Sequence, residues 1–272
     1  MDTQRALPPL DLSWNPLVFV LGQVVISAVL RIEDYVPDLQ ERFRRNGYPI
    51  FNRFEAQTVN VSEGGPVEVG REKRWVFSDK RQAKSIVVGS SFFVLQVSEY
   101  STFESFVEEL HSTLTIFGET VSPDLYQRVG FRRINLLEDA ERLSLEDSVR
   151  AELHGLGEDV FSGDHEQRLE HWGDTEVGRM MVRLMRPAPL SVVPPEIATL
   201  GLKLRGPSAQ GRKTATLDID HFLVDADDFD VDDIVRQFWR LHGPSDNAFR
   251  NSVTTEALKI WQRGSRIGVG ES

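Results

Sequence analysis

The run from Leu17 to Leu30 constrains the fold more than any other stretch of the sequence. Val, Ile and Phe occupy both alternating sets of positions, so a strand formed here would be apolar on both faces. Such a strand is stable only within a sheet that is covered on both sides. We therefore expect a central strand, bent at Gly22, around which the other elements are arranged.

Strand and helix patterns alternate through the first half of the chain. Apolar residues recur at helical spacing in Asp34–Asn46, which Gly47 follows, and in Thr102–Gly118, which Thr102 is expected to cap. Strand patterns fill the intervals and close with Tyr126–Leu137. This order predicts an α+β fold, in which two halves of mixed or antiparallel sheet carry amphipathic helices on one face.

The second half is expected to repeat this architecture in reduced form. Strands are predicted at Gly178–Arg186 and Ile197–Arg205, the latter in a hairpin with Lys213–Phe222. A helix from Val231 should break at His242-Gly243-Pro244 before a last helix begins. The predicted divisions are an N-terminal arm (1–15), a first half (16–137), a charged, Gly-containing connector (138–176), a second half with a C-terminal helix pair (177–263) and a flexible tail (264–272).

Composition and missing motifs exclude several function classes. The absence of cysteine excludes disulfides, cysteine-rich zinc modules and thiol catalysis. Nucleophile-elbow, P-loop and dinucleotide fingerprints are also absent. A net charge of -11 argues against polyanion binding by the whole surface but leaves a local basic groove open. With neither a basic apolar leader nor a run long enough to span a bilayer, we expect a cytoplasmic protein without membrane contact.

Asp218 and Asp220 are the candidate catalytic carboxylates. They lie two apart in a predicted strand, so they should share one face while His221 points to the other. Paired carboxylates suit a Mg²⁺- or Mn²⁺-dependent phosphodiesterase, with His221 as a further catalytic group and Asp225 as a further metal ligand. The competing interpretation needs no cofactor, because the other aspartates of this region are typical of a solvated turn and a helix start.

Basic residues on the strand that closes the first half are the candidate binding residues. Alternation should place Arg133 and Asn135 on one face and Arg128 and Arg132 on the other. An arginine on a concave sheet could hold a carboxylate or phosphate through two hydrogen bonds, with Trp75 as a stacking surface nearby. The alternative is that the aromatic residues are core and the basic ones solvated.

Four motifs together resemble a known family. They are Arg74-Trp75-Val76-Phe77, Arg128 to Asn135, Leu217-Asp218-Ile219-Asp220 and a C-terminal His242, Phe249, Thr254-Thr255 and Leu258. They are similar to a sporadically distributed prokaryotic family of uncharacterised proteins with an Arg-x-x-Asn strand, a Leu-Asp-Ile-Asp strand and a His...Phe...Thr helix. The resemblance implies no catalytic mechanism. Its patchy distribution implies mobile modules such as phage-defence or toxin-antitoxin systems.

The sequence therefore predicts a non-enzymatic recognition or adaptor module. A protein is the expected partner, and a basic patch leaves nucleic acid open. The alternative is a divalent-metal-dependent phosphodiesterase or nuclease using Asp218 and Asp220. A third hypothesis is a small-ligand binder in which Arg133 grips an anion behind the sheet.

Overall fold

The computed structural model describes residues 15–60, 68–156, 160–161, 165–194, 197, 199–208 and 212–262, with side chains described outside 56–60 and 68–71. The predicted arm (except Asn15) and tail therefore lie outside the described residues. The elements are β1 (Leu17–Ile26), α1 (Ile32–Arg45), β2 (Ile50–Asn60), β3 (Glu68–Ser78), β4 (Lys84–Val88), β5 (Phe92–Val97), α2 (Phe103–Val121), β6 (Leu125–Glu138), α3 (Leu145–Ser148), a 3-10 turn (Ala151–Leu153), β7 (Gln167–Asp174), β8 (Arg179–Arg186), β9 (Thr214–Asp228), α4 (Val231–Ser252) and α5 (Thr255–Gln262).

The strands form one antiparallel sheet in the order β2-β3-β4-β5-β1-β6-β9-β8-β7. With the helices this confirms the predicted α+β class. β1 lies in the middle of the sheet, as its apolar faces predict. Both predicted halves belong to this single sheet, because β6 pairs along its length with β9. In the part of the chain that the structure describes, no helix is long and apolar enough to cross a bilayer.

The helices cover one face of the sheet, as predicted. Side chains of α1, α2 and α4 meet those of the sheet in a large core that includes Leu39, Phe77, Leu114 and Phe238. Helix α2 begins where Thr102 predicts, because the Thr102 hydroxyl accepts a hydrogen bond from the Ser105 N–H at 3.1 Å. The short helices α3 and α5 complete this layer over β8 and β9.

The opposite face, which we call the open face, is only partly covered by the residues that the structure describes. An extended segment, the strap (residues 188–194, 197 and 199–205), crosses it. Val192 and Val193 of the strap pack on Phe19 and Ile134. The predicted strand at Ile197–Arg205 is wrong, since the described residues of this range form no strand. The strap cannot pair with β9, because β6 and β8 occupy both edges of that strand. It binds another part of the sheet, where the Leu200 carbonyl accepts a hydrogen bond from the Ser85 hydroxyl of β4 at 2.8 Å.

The predicted break at His242-Gly243-Pro244 is also wrong, because α4 runs unbroken from Val231 to Ser252. The Leu241 carbonyl accepts hydrogen bonds from the Ser245 hydroxyl at 2.7 Å and from Nδ1 of His221 at 2.9 Å. The tertiary bond from His221, the Ser245 bond within the helix, and the burial of Leu241 and Ser245 hold the helix through the proline. The segment predicted as a connector also carries structure, since β7 is an edge strand of the sheet.

Candidate functional site: an arginine–aromatic row on the open face

A polar groove lies beside the strap on the open face. It has a volume of about 350 Å³, and the side chains of Gln23, Arg128 and Arg132 line it together with Gly130. Strand alternation brings these residues together, since Gln23 is paired with Gly130, and Arg132 with Asp220, across neighbouring strands. The remaining lining residues come from β1, β3, β4, β5, β9 and the strap: Leu21, Glu72, Arg74, Val87, Phe92, Val94, Gln96, Ile197, Leu200 and Asp220.

Arg128 is a half-buried cation in this groove. Its guanidinium carbon lies 4.2 Å from the ring centroid of Phe222, and Nη1 donates to the Gln23 side-chain oxygen. Gly130 leaves room for it, because a Cβ at that position would lie 2.9 Å from Nη1 of Arg128. Burial lowers the pKa of the Arg128 guanidinium. Among the described residues, no carboxylate forms an ion pair with Arg128, although the Asp220 carboxylate in the same groove is near enough to offset part of this lowering.

A second arginine–aromatic pair lies two strands away. The guanidinium carbon of Arg179 is 5.6 Å from the ring centroid of Trp172, and Arg179 is paired in register with Phe222. These three side chains line an open cleft of about 930 Å³ together with Val224 and the carboxylates of Asp174 and Glu176. Trp172 is 51% exposed. Within the described part of the chain, Arg179 also has no ion-paired carboxylate.

A third pair lies near the other end of the sheet. The guanidinium carbon of Arg74 is 5.6 Å from the ring centroid of Phe92, and Arg74 forms an ion pair with Glu72 at 2.7 Å. We call the three pairs, Arg74/Phe92, Arg128/Phe222 and Arg179/Trp172, the arginine–aromatic row. All six side chains belong to the strand positions that face away from the helices.

Asp218 is buried in an ion-pair network beside the groove. Its carboxylate accepts from Arg132 at 2.8 and 2.6 Å and from Arg183 at 2.6 Å, and its exposure is 0%. Arg183 continues the network to Glu170 of β7 at 3.4 Å. Arg132 therefore binds Asp218 through short hydrogen bonds, whereas its Nη1 lies 3.8 Å from Oδ2 of Asp220. Burial raises the pKa of the Asp220 carboxyl.

The candidate catalytic residues occupy the faces that alternation predicts. Asp218 and Asp220 share the open face, and His221 is buried on the helix side. His221 binds the Leu241 carbonyl and lies 2.9 Å from the Thr175 hydroxyl, while burial lowers its pKa. Asp225 is exposed farther along β9. Among the described residues, no three His, Asp or Glu side chains are grouped so that they could hold a metal ion.

The predicted binding residues divide between the two faces. Arg128 and Arg132 lie together on the open face, but Arg133, Asn135 and Trp75 are buried on the helix side. Asn135 donates to the Leu217 carbonyl at 3.3 Å, and Trp75 belongs to the large core. Nη1 of Arg133 is 3.5 Å from Asp246, whereas its buried Nε and Nη2 have no hydrogen-bond partner.

Sequence reasoning missed Phe222, Arg179 and Trp172 as members of a site. Residues 167–174 do not alternate regularly between apolar and polar side chains, so no local signal places Trp172 on a sheet face. The pairing of β8 with β9, which brings Arg179 beside Phe222, has no local signal either.

Comparison with protein-family models found no match to the chain. A search of the curated proteins found no significant match either.

Proposed function

We propose that this protein is a non-enzymatic recognition module that binds an anionic group of its partner on the open face of the sheet. Arg128 is the anchoring residue. One observation carries the proposal: the Arg128 guanidinium is half-buried in a groove, where it contacts Gln23 and Phe222. Among the described residues, it forms no ion pair with a carboxylate.

The Arg128 guanidinium is preorganised to bind an anion. Its contacts with Gln23 and Phe222 restrict its rotamers before binding, so less side-chain entropy is lost when a ligand arrives. Its planar group matches a carboxylate or phosphate through two parallel hydrogen bonds. The groove volume of about 350 Å³ lies within the range of roughly 300–1,000 Å³ typical of ligand sites.

The network around Asp218 supports recognition better than metal-dependent phosphodiester hydrolysis. A Mg²⁺ or Mn²⁺ ion at Asp218 would have to displace guanidinium groups of Arg132 and Arg183 that already bind the carboxylate. Removing the partner of a buried charge costs several kcal/mol. The alternative that uses Asp218 and Asp220 therefore requires a rearranged site, whereas anion binding at Arg128 does not.

Calorimetric titration tests the proposal with phosphate, citrate and an acidic peptide as probes. We expect at least one probe to bind the wild type, and Arg128→Met to weaken that binding about 10-fold or more, as expected for the loss of a charge-assisted pair. Arg236→Met is the matched control, because Arg236 is an exposed arginine of α4 that pairs with Asp233.

Absence of binding to every probe, or equal binding by wild type and Arg128→Met, would overturn the proposal. Multiple-turnover cleavage of nucleic acid that depends on added Mg²⁺ or Mn²⁺ would favour the enzymatic alternative instead.

A further inference from the structure

We propose that the anionic partner is a single-stranded nucleic acid, which lies across the arginine–aromatic row. This inference rests on the proposed function and names the partner class of the same face. Its basis is the repetition of one arrangement, a guanidinium against an aromatic ring, three times across one sheet face.

The row offers both of the surfaces that a single strand needs. Guanidinium groups bind phosphates, and aromatic rings and guanidinium planes stack with unpaired bases. Trp172 exposes 51% of its surface beside Arg179, so its ring remains accessible. Phe54, which is 39% exposed, lies opposite Arg74 in register at the other end of the row.

Charge distinguishes members of the row. Arg128 and Arg179 form no ion pair among the described residues, so both can neutralise phosphates, although Asp220 lines the groove of Arg128 and Asp174 and Glu176 line the cleft of Arg179. Arg74 is already paired with Glu72, so its contribution is the flat guanidinium surface. An acidic peptide could pair with Arg128 and Arg179, but it would leave the aromatic members unused.

The dimensions fit a short strand. Adjacent strands lie about 4.8 Å apart, so the row spans about 34 Å from Arg74 in β3 to Trp172 in β7. That length corresponds to about ten nucleotides at the stacked spacing of about 3.4 Å. A duplex keeps its base faces inside its own stack, so it cannot use the rings of the row.

The net charge of the chain limits the expected affinity. At -11 the protein repels polyanions at long range, so binding should be confined to the row. Binding through Arg128 and Arg179 should also weaken as salt rises, because their phosphate contacts release counterions.

Fluorescence anisotropy with a labelled single-stranded oligonucleotide of about ten nucleotides tests the inference at low salt. We expect Trp172→Leu to weaken binding about 5- to 100-fold, as expected for the loss of one base stack, and Trp172→Phe to restore most of it. We expect Arg179→Gln to weaken binding and to reduce its dependence on salt. Trp239→Leu is the matched control, because Trp239 is 45% exposed on α4, away from the open face.

An oligoglutamate peptide and a duplex of the same sequence complete the experiment. Peptide binding that requires Arg128, without oligonucleotide binding, would overturn this inference and leave the proposed function standing. Equal single-strand binding by wild type and Trp172→Leu, or equal binding of duplex and single strand, would also overturn it. Failure of every anion to bind would remove both proposals.

Discussion

Arg132 donates two hydrogen bonds, at 2.8 and 2.6 Å, to the carboxylate of Asp218, which has no exposure to solvent. Arg183 donates to the same carboxylate from the neighbouring strand β8. The three side chains join β6, β9 and β8 on the open face. Asp218 therefore holds the sheet together at the boundary of the two halves predicted from the sequence.

Replacing Asp218 by Asn should destabilise the protein by about 3–5 kcal/mol, because two poorly solvated guanidinium groups would lose their anionic partner. Urea unfolding followed by circular dichroism measures the change. Asp225→Asn, at an exposed position of the same strand, should change stability by no more than about 0.5 kcal/mol. Similar stabilities of the two variants would contradict the structural role of Asp218.

Substitution of two adjacent arginines by methionine should have different effects on stability. Arg132→Met removes a bidentate partner of Asp218 and should cost about 2–4 kcal/mol. Arg133→Met removes a buried charge whose Nε and Nη2 have no partner, while Arg250 remains 2.8 Å from Asp246. We therefore expect Arg133→Met to leave stability unchanged or to raise it by about 1 kcal/mol. An equal loss in both variants, measured by urea unfolding, would refute this distinction.

Gly178→Ala should destabilise the protein by about 1–3 kcal/mol, the cost of overpacking a site that cannot relax. A Cβ at this position would lie 2.2 Å from the backbone oxygen of Phe222, so β8 and β9 would have to separate there. Gly173→Ala is the control, since a Cβ at Gly173 would meet no atom within 4 Å. Thermal unfolding of both variants checks the prediction, and equal melting temperatures would contradict it.

Gly130→Ala should weaken anion binding with little loss of stability. The new Cβ would meet the flexible end of the Arg128 side chain, at 2.9 Å, so the guanidinium can move away instead of straining the backbone. That movement would end the contact between the Arg128 guanidinium and the ring of Phe222. Calorimetric titration with the best anion probe, together with thermal unfolding, measures both effects. Unchanged affinity would show that the position of Arg128 over Phe222 does not matter for binding.

His242 should make stability depend on pH. Burial, reinforced by Arg133, lowers its pKa from 6.5 to about 4. Above pH 6.5 the imidazole is neutral in both states and the full stability is present. Between pH 6.5 and about 4 the unfolded chain binds the proton more readily, so stability should fall as the pH falls, by up to about 3 kcal/mol.

Urea unfolding across this pH range tests the effect of His242. His242→Phe should flatten the slope, because the substitution removes the titrating group and can keep the stack on Phe103, now 3.8 Å between ring centroids. If the stability of His242→Phe depends on pH as steeply as that of the wild type, His242 is not the source of the pH dependence.

Local alternation predicted much of the site geometry. It separated Arg128 and Arg132 from Arg133 and Asn135, and it placed Asp218 and Asp220 on the face opposite His221. These predictions succeeded because the side-chain period of a strand is a property of neighbouring residues. The burial of three predicted binding residues could not be predicted, since alternation does not reveal which face the helices cover.

Long-range pairing explains the other differences. The strap has the apolar content of a strand, but β9, its predicted hairpin partner, already pairs with β6 and β8, so neither edge of β9 is free for the strap to join. Likewise Gly243-Pro244 normally ends a helix, and the contacts of Leu241 with distant His221 hold α4 together. Both outcomes depend on residues that are far apart in the sequence.

The position of β9 also orders the assembly of the protein during its synthesis. Asp218 of β9 binds Arg132 of β6, which lies 86 positions earlier in the chain. The second edge of β6 therefore stays unpaired until β9 has been synthesised and has left the ribosome. During that interval β6 would be an exposed edge strand, the kind of surface that recruits other chains. Slow elongation over the region between β6 and β9 should therefore favour aggregation of the nascent protein.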